Sequence, residues 1–239
     1  MSAPLVLTDL RPVPGARAAT AVRQRLLLES ISKTWGRTLR VLDDARLEIA
    51  PGELVFVIGA NGVGKTTLLR IVAGLVVPER GSVRLDGLDP QADRERYHRR
   101  LGLVSAGQGG LYARLTVAQQ LDLWARLTFV PRSERRALVV ATIERFELAD
   151  VPRHRVDRLS MGQRQRLRLA MAFLHEPALV LLDEPRNSLD SDGVALLNQV
   201  VDGFIASGGS VIWCAPTGTE APPSDATVYV LEAGKLSRG

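Results

Sequence analysis

Nine consecutive residues, Gly59-Ala60-Asn61-Gly62-Val63-Gly64-Lys65-Thr66-Thr67, carry the densest chemistry in this sequence. Their G-x-x-x-x-G-K-[ST] spacing is that of a loop that wraps a phosphate chain. The glycines let the backbone close around an anion, and the amides opening the following helix aim at it along the helix dipole. Lys65 adds a mobile cation, and the Thr66 hydroxyl is a hard oxygen ligand suited to Mg2+. The apolar runs Leu54 to Ile58 and Leu68 to Leu75 supply the strand and helix that such a loop needs on either side. Further on, Ala178-Leu179-Val180-Leu181-Leu182-Asp183-Glu184-Pro185 reads as a buried parallel strand with two carboxylates at its C-terminal end. Shortly before it, Leu159-Ser160-Met161-Gly162-Gln163-Arg164-Gln165-Arg166 opens an apolar-rich helical pattern through Leu174, ended by Glu176-Pro177.

In this order and at this spacing the motifs resemble the ATP-binding-cassette family, the nucleotide-binding subunits of ABC transporters. The resemblance covers about residue 24 to residue 239. It implies ATP and Mg2+ as the bound species, with Gly59 to Thr67 around the phosphates. It makes Asp183 the Walker B aspartate, holding Mg2+ with Thr66. Glu184 matches the catalytic glutamate, which orients and polarises the attacking water. Phosphoryl transfer rests on positioning and charge stabilisation, so a carboxylate beside the γ-phosphate suits that task. Adjacent acids that merely cap a strand are the plainer alternative.

Trp35, in Ser32-Lys33-Thr34-Trp35-Gly36, stands where the family commonly stacks an aromatic on adenine. A turn aromatic packed on the core is the other reading. Ser160 and Gln163 form a Ser-x-x-Gln capping box in their own right. In the family this helix start, with Ser160, the Gly162 amide and Gln163, faces the γ-phosphate held by the opposite subunit. ATP is then sandwiched in a homodimer or heterodimer of such chains. Met161 replaces the first glycine of the common L-S-G-G-Q. Asn187-Ser188-Leu189-Asp190 resembles the loop that couples the two sites across the dimer. Gln108, about two residues late against the usual pattern, is the candidate for a catalytic contact with Mg2+ or water.

One departure is serious. After Ser210-Val211-Ile212-Trp213-Cys214-Ala215 the family usually carries a switch histidine, and this sequence has Pro216-Thr217. The three histidines, His98, His154 and His175, lie elsewhere and read as surface or helix-end residues. A threonine hydroxyl cannot mimic an imidazolium. With Glu184 intact, ATPase activity is still expected, though slow, or confined to one weakened site of a heterodimer.

The elements that must position these groups alternate in type. Leu26 to Leu28, Val41 to Ile49 and Ser82 to Asp86 read as strands, the last ending at an Asp-Gly turn. Residues from about 101 to 157 read as mainly helical, with helices over Thr116 to Leu127 and Ser133 to Phe146, capped by Thr116 and Ser133. Strand and helix then alternate through Leu179 to Asp183, Gly193 to Ile205, Ser210 to Ala215 and Thr227 to Leu231. This pattern is α/β, a parallel core interrupted by a helical insertion. The resemblance sharpens it to a P-loop NTPase with a RecA-like core, an antiparallel β edge and an inserted α-helical subdomain. Residues 1–23 show no clear period and read as a flexible arm, leaving 24–239 as the ATP-binding domain.

Composition bounds the rest. A chain of 239 residues holds one large core, or one with a smaller subdomain. No apolar run approaches the roughly 20 residues that span a bilayer, so a transport role needs a separate transmembrane permease subunit. The single cysteine, Cys214, fits a reduced cytosolic setting. The formal charge is +5 with only three lysines (Lys33, Lys65, Lys235), so the basic charge is nearly all arginine. That bias fits a GC-rich genome better than a nucleic-acid surface, and no nucleic-acid partner is expected. The leading expectation is an ATP-hydrolysing subunit, peripheral on the cytoplasmic face of the cell membrane. Gly110 to Val117 looks most like export-type systems. A soluble ABC-type ATPase, for example in iron–sulfur assembly, is the alternative.

Overall fold

The computed structural model describes residues 24–36, 38–105 and 109–239. Gln108 and the 1–23 arm therefore lie outside the described residues. Strands β1 (Leu26–Trp35), β2 (Leu39–Ile49) and β4 (Arg80–Leu85) form an antiparallel sheet in the order β2-β1-β4. A six-stranded sheet follows the order β5-β6-β7-β3-β8-β9. Its members are β3 (Leu54–Gly59), β5 (Leu101–Val104), β6 (Leu179–Asp183), β7 (Ser210–Pro216), β8 (Thr227–Glu232) and β9 (Lys235–Arg238). All pairings in it are parallel except β8 with β9, which gives the sheet an antiparallel edge.

Two cores lie on opposite faces of the six-stranded sheet, and alternate residues of each strand sort between them. Phe56, Val180, Leu182, Val211, Trp213 and Ala215 point into the first. Val55, Val57, Leu179, Leu181, Ile212 and Cys214 point into the second. Because both faces are buried, the central strands read as unbroken apolar runs rather than alternating ones. The first core is covered by α3 (Val117–Leu127), α4 (Arg132–Arg145), α5 (Met161–Phe173) and α6 (Ser191–Ala206). The second is covered by α1 (Lys65–Val72), the short α2 (Arg94–His98) and the antiparallel sheet.

Thr116 caps α3 as its sequence suggests, accepting from the Gln119 amide at 3.2 Å while the Gln119 side chain accepts from the Thr116 amide at 2.9 Å. Ser133 does not cap α4. That helix starts one residue earlier, with Pro131 at its N-cap and Ser133 already helical. A serine caps only from an extended backbone, and Pro131 takes that entry position. The strand expected over Leu26 to Leu28 runs on to Trp35 through register shifts after Leu28, Ile31 and Lys33. Residues 101–104 are a strand of the core sheet, so the helices begin well after residue 101. No helix among the described residues is long and apolar enough to cross a membrane.

Candidate functional site

Three neighbouring central strands of the six-stranded sheet end together at their C-terminal ends. Gly59 at the end of β3 pairs with Pro216 at the end of β7, and Asp183 at the end of β6 pairs with Cys214. The loop from Ala60 to Gly64 continues from β3 and opens α1, which Gly64 precedes without any side-chain cap. The first amides of α1 therefore have no internal partner and face whatever sits in the loop. Two glycines are fixed by space as well as by torsion. A Cβ at Gly59 would come within 2.6 Å of the Leu231 carbonyl oxygen. One at Gly64, where φ is 122°, would come within 2.6 Å of the Val41 carbonyl oxygen.

Lys65 is buried, and its Nζ donates to the carbonyls of Gly59 at 2.7 Å and Ala60 at 3.0 Å. The ammonium thus holds two successive carbonyls where the strand passes into the loop. Thr66 Oγ1 donates to Asp183 Oδ2 at 2.8 Å, joining α1 to β6. A hydroxyl and a buried carboxylate side by side form a hard-oxygen donor set, which fits Mg2+. Asn61, Gly62, Val63 and Thr67 complete the loop and its first helical turn. Asn61 and Gly62 are exposed.

Glu184 follows β6 with φ of 50°, a left-handed backbone held by its amide donating to the Cys214 carbonyl at 2.9 Å. Its Oε2 accepts from Asn187 Nδ2 at 2.8 Å. Trp35 ends β1 and is 43% exposed, too open for a core aromatic. Its indole Nε1 donates to Thr67 Oγ1 at 3.2 Å, so the ring stands against the first turn of α1. Lys33 Nζ lies 5.1 Å from the ring centroid.

Ser160 caps α5 in the capping box read from the sequence, accepting from the Gln163 amide at 3.1 Å. The Gln163 side chain accepts from the Ser160 amide at 3.0 Å. This helix start packs on the turn after β6, where Gln165 Nε2 donates to the Pro185 carbonyl at 2.8 Å. A Cβ on Gly162 would sit 3.4 Å from the Ser188 carbonyl oxygen. Asp190 ends that turn and caps α6, accepting from the Gly193 amide at 2.8 Å.

His98 ends α2 and His175 follows the C-cap of α5, both half-buried at helix ends, and His154 is exposed. His175 Nε2 lies 3.1 Å from the Leu101 carbonyl oxygen, and burial pulls the pKa of His175 below its usual value. None of the three lies among the groups gathered at the β3, β6 and β7 ends. Two features near the site had no clear signal in the sequence. One is the contact of Asn187 with Glu184. The other is a cluster in which Arg186 meets Trp213 and Glu220 from a distant part of the chain.

This arrangement, a glycine loop between a parallel strand and a helix with an adjacent strand delivering Asp183, defines a P-loop nucleotide-binding protein. Residues 42–187 match the family described as ABC transporter, and the chain belongs to that family. It is 35% identical to the daunorubicin resistance ATP-binding protein DrrA3 of Streptomyces coeruleorubidus, over 82% of this chain and 62% of that protein. It is 40% identical to the sulfate/thiosulfate import ATP-binding protein CysA of Gloeobacter violaceus, over 70% of this chain but only 47% of that protein. A solved ATP-binding subunit of an ABC transporter superposes with a TM-score of 0.82 at 26% identity, covering 90% of this chain and 89% of the other. The relatives include both import and resistance proteins, so family membership leaves the direction of transport open.

Proposed function

We propose that this chain hydrolyses MgATP to drive a separate membrane-embedded permease, in the direction of export. The observation that carries the catalytic part is the convergence of Lys65, Thr66, Asp183 and Glu184 at adjacent strand ends. In this reading Lys65 and the α1 amides bind the β- and γ-phosphates, and Trp35 offers its exposed face to adenine. Thr66 and Asp183 would hold Mg2+, which when bound neutralises charge on the phosphate oxygens. Glu184, oriented by Asn187, takes hydrogen-bonding charge to the attacking water. Ser160, Gly162 and Gln163 complete the site of a second copy or of a related partner chain. Residues 24–239 form the ATP-binding domain, with the helices between about 101 and 157 as its helical subdomain. Phosphate release from purified protein with MgATP tests the reading, and absence of turnover would remove it.

The transport part is supported by a cleft of about 310 Å³ between the core and the helical layer. Leu75, Leu101 and Leu103 line it from one side, and Trp124, Leu127 and Phe129 from the other. Leu75, Leu127 and Phe129 are each more than half exposed. Apolar residues clustered this way mark a docking surface, and a permease segment seated there touches both halves of the subunit at once. Replacing Leu127 and Phe129 together by Asp is expected to abolish co-purification with the membrane subunit while ATP binding stays within about twofold, since a desolvated charge costs several kcal/mol at such a contact. Retained co-purification would move the docking surface elsewhere. Export is favoured over import by Gly110 to Val117 and by the resistance relative's longer coverage, and uptake assays in oriented vesicles decide it.

Pro216, paired with Gly59, puts a residue without a polar side chain at the edge of the phosphate loop. The Thr217 amide lies against the Gly59 carbonyl at 3.3 Å. The wild-type subunit is therefore expected to bind ATP normally and turn it over slowly, because one well-placed donor is worth about 10²–10³ in rate. Pro216→His is expected to raise turnover with little change in affinity. A fast wild-type enzyme would show that another group already fills that role.

A further inference from the structure

Arg186 stands two residues after Glu184 and is held from three elements. Its guanidinium lies 4.9 Å from the ring centroid of Trp213, which is wholly buried in β7. Its Nη2 donates to Asn198 Oδ1 of α6 at 3.3 Å. Its Nη1 lies 2.8 Å from Glu220 Oε2, in the segment after β7. That contact is an ion pair off the donor's line, since Glu220 Oε2 takes no directed hydrogen bond among the described residues. Arg186 Nε is also buried without a hydrogen-bond partner among them. Glu220 Oε1 accepts from Trp213 Nε1 at 3.3 Å, and the Glu220 side chain is only 9% exposed.

A half-buried guanidinium with a buried, unused Nε donor will pair with another carboxylate once Glu220 lets go, and Glu184 is two residues away along the same turn. The Asn187 amide that now orients Glu184 is neutral, so it leaves that carboxylate's charge for the phosphate site. An arginine in its place would form a stronger, charge-assisted contact and neutralise it. We propose that Glu220 is a positioning residue for hydrolysis, holding the Arg186 guanidinium against Trp213 and away from Glu184. The inference rests on the assignment of Glu184 as the group that acts on water. Its pH consequence follows from the charges facing Glu220, which are Arg186 and Glu184. Burial pushes the Glu220 carboxyl above its usual range, Arg186 opposes that rise, and Glu184 adds to it. Protonating Glu220 as pH falls releases Arg186, so turnover declines at a higher pH than an ordinary carboxylate would impose.

The test compares wild type, Glu184→Gln, Glu220→Gln and the double variant Arg186→Met/Glu220→Gln of the full chain. Phosphate release and ATP affinity are measured across pH, with thermal melting as the check of folding. Glu220→Gln is expected to lower turnover about tenfold or more at unchanged ATP affinity, because the base it frees Arg186 to capture is worth about 10²–10⁴. Removing Arg186 as well should restore turnover to within about threefold of wild type and abolish the raised acid limb, at the rate scale set by that same base. Wild-type turnover in Glu220→Gln overturns the proposal, and so does a folded double variant as slow as the single one. If Glu220→Gln does not fold, the double variant alone decides, since it has no guanidinium to sequester and must be active. Absence of turnover in wild type, or an unaffected Glu184→Gln, counts against the catalytic assignment itself and is told apart by those two controls.

Discussion

Glu184→Gln is expected to bind MgATP with wild-type affinity and to hydrolyse it about 10²–10⁴-fold more slowly, the usual worth of a positioned proton acceptor. The substitution keeps the shape of the side chain and leaves the Asn187 contact available, since an amide oxygen also accepts. It removes the charge that the proposed mechanism uses to polarise water. Nothing in the strand that carries it is disturbed, because the left-handed turn at Glu184 is held by its backbone amide on Cys214, independently of the side chain. With binding intact and hydrolysis blocked, size-exclusion chromatography in MgATP should show more dimer than wild type. Unchanged phosphate release in this variant would transfer the role to another group.

The second large effect belongs to Lys65→Ala. The ammonium is buried and makes two hydrogen bonds to the loop, so its removal takes away both a charge-assisted partner for phosphate and a brace on the turn. Hydrogen bonds to charged groups contribute about 1.5–3 kcal/mol each, which predicts ATP affinity weaker by about 10–100-fold. Folding should survive, because Ala extends α1 at low cost and the two glycine constraints are untouched. Equilibrium dialysis with ATP checks the affinity, and circular dichroism checks the fold. An affinity equal to wild type would contradict the assignment of the loop.

The legibility of these elements in the sequence follows their environment. Strands β3, β6 and β7 are buried on both faces, so their apolar runs are continuous and their ends coincide with Gly59, Asp183 and Pro216. Strand β1 is different. Its register shifts and the positive φ of Ser30 break the two-residue alternation, so only Leu26 to Leu28 reads as strand. The caps of α3 and α5 were readable because Thr116 and Ser160 sit three residues before a glutamine. The start of α4 was not, because Pro131 competes with Ser133 for the same entry. The site motifs are local in sequence and can be read from it. The pairing of Arg186 with Glu220 and the apolar cleft at Phe129 arise from elements that meet only in the fold, and no periodicity announces them.

Cys214 gives the molecule a built-in clock. It is the sole sulfhydryl of this sequence and is fully enclosed between the Asp183 and Val57 strands, where burial holds its thiol well above the usual pKa. A thiolate-seeking reagent reaches it only when the second core opens, so the rate of alkylation counts openings of the layer that α1 and the antiparallel sheet lay over the central strands. A nucleotide that binds only the closed form slows that count in proportion to its saturation. The chain thus reports its own nucleotide occupancy through a native side chain.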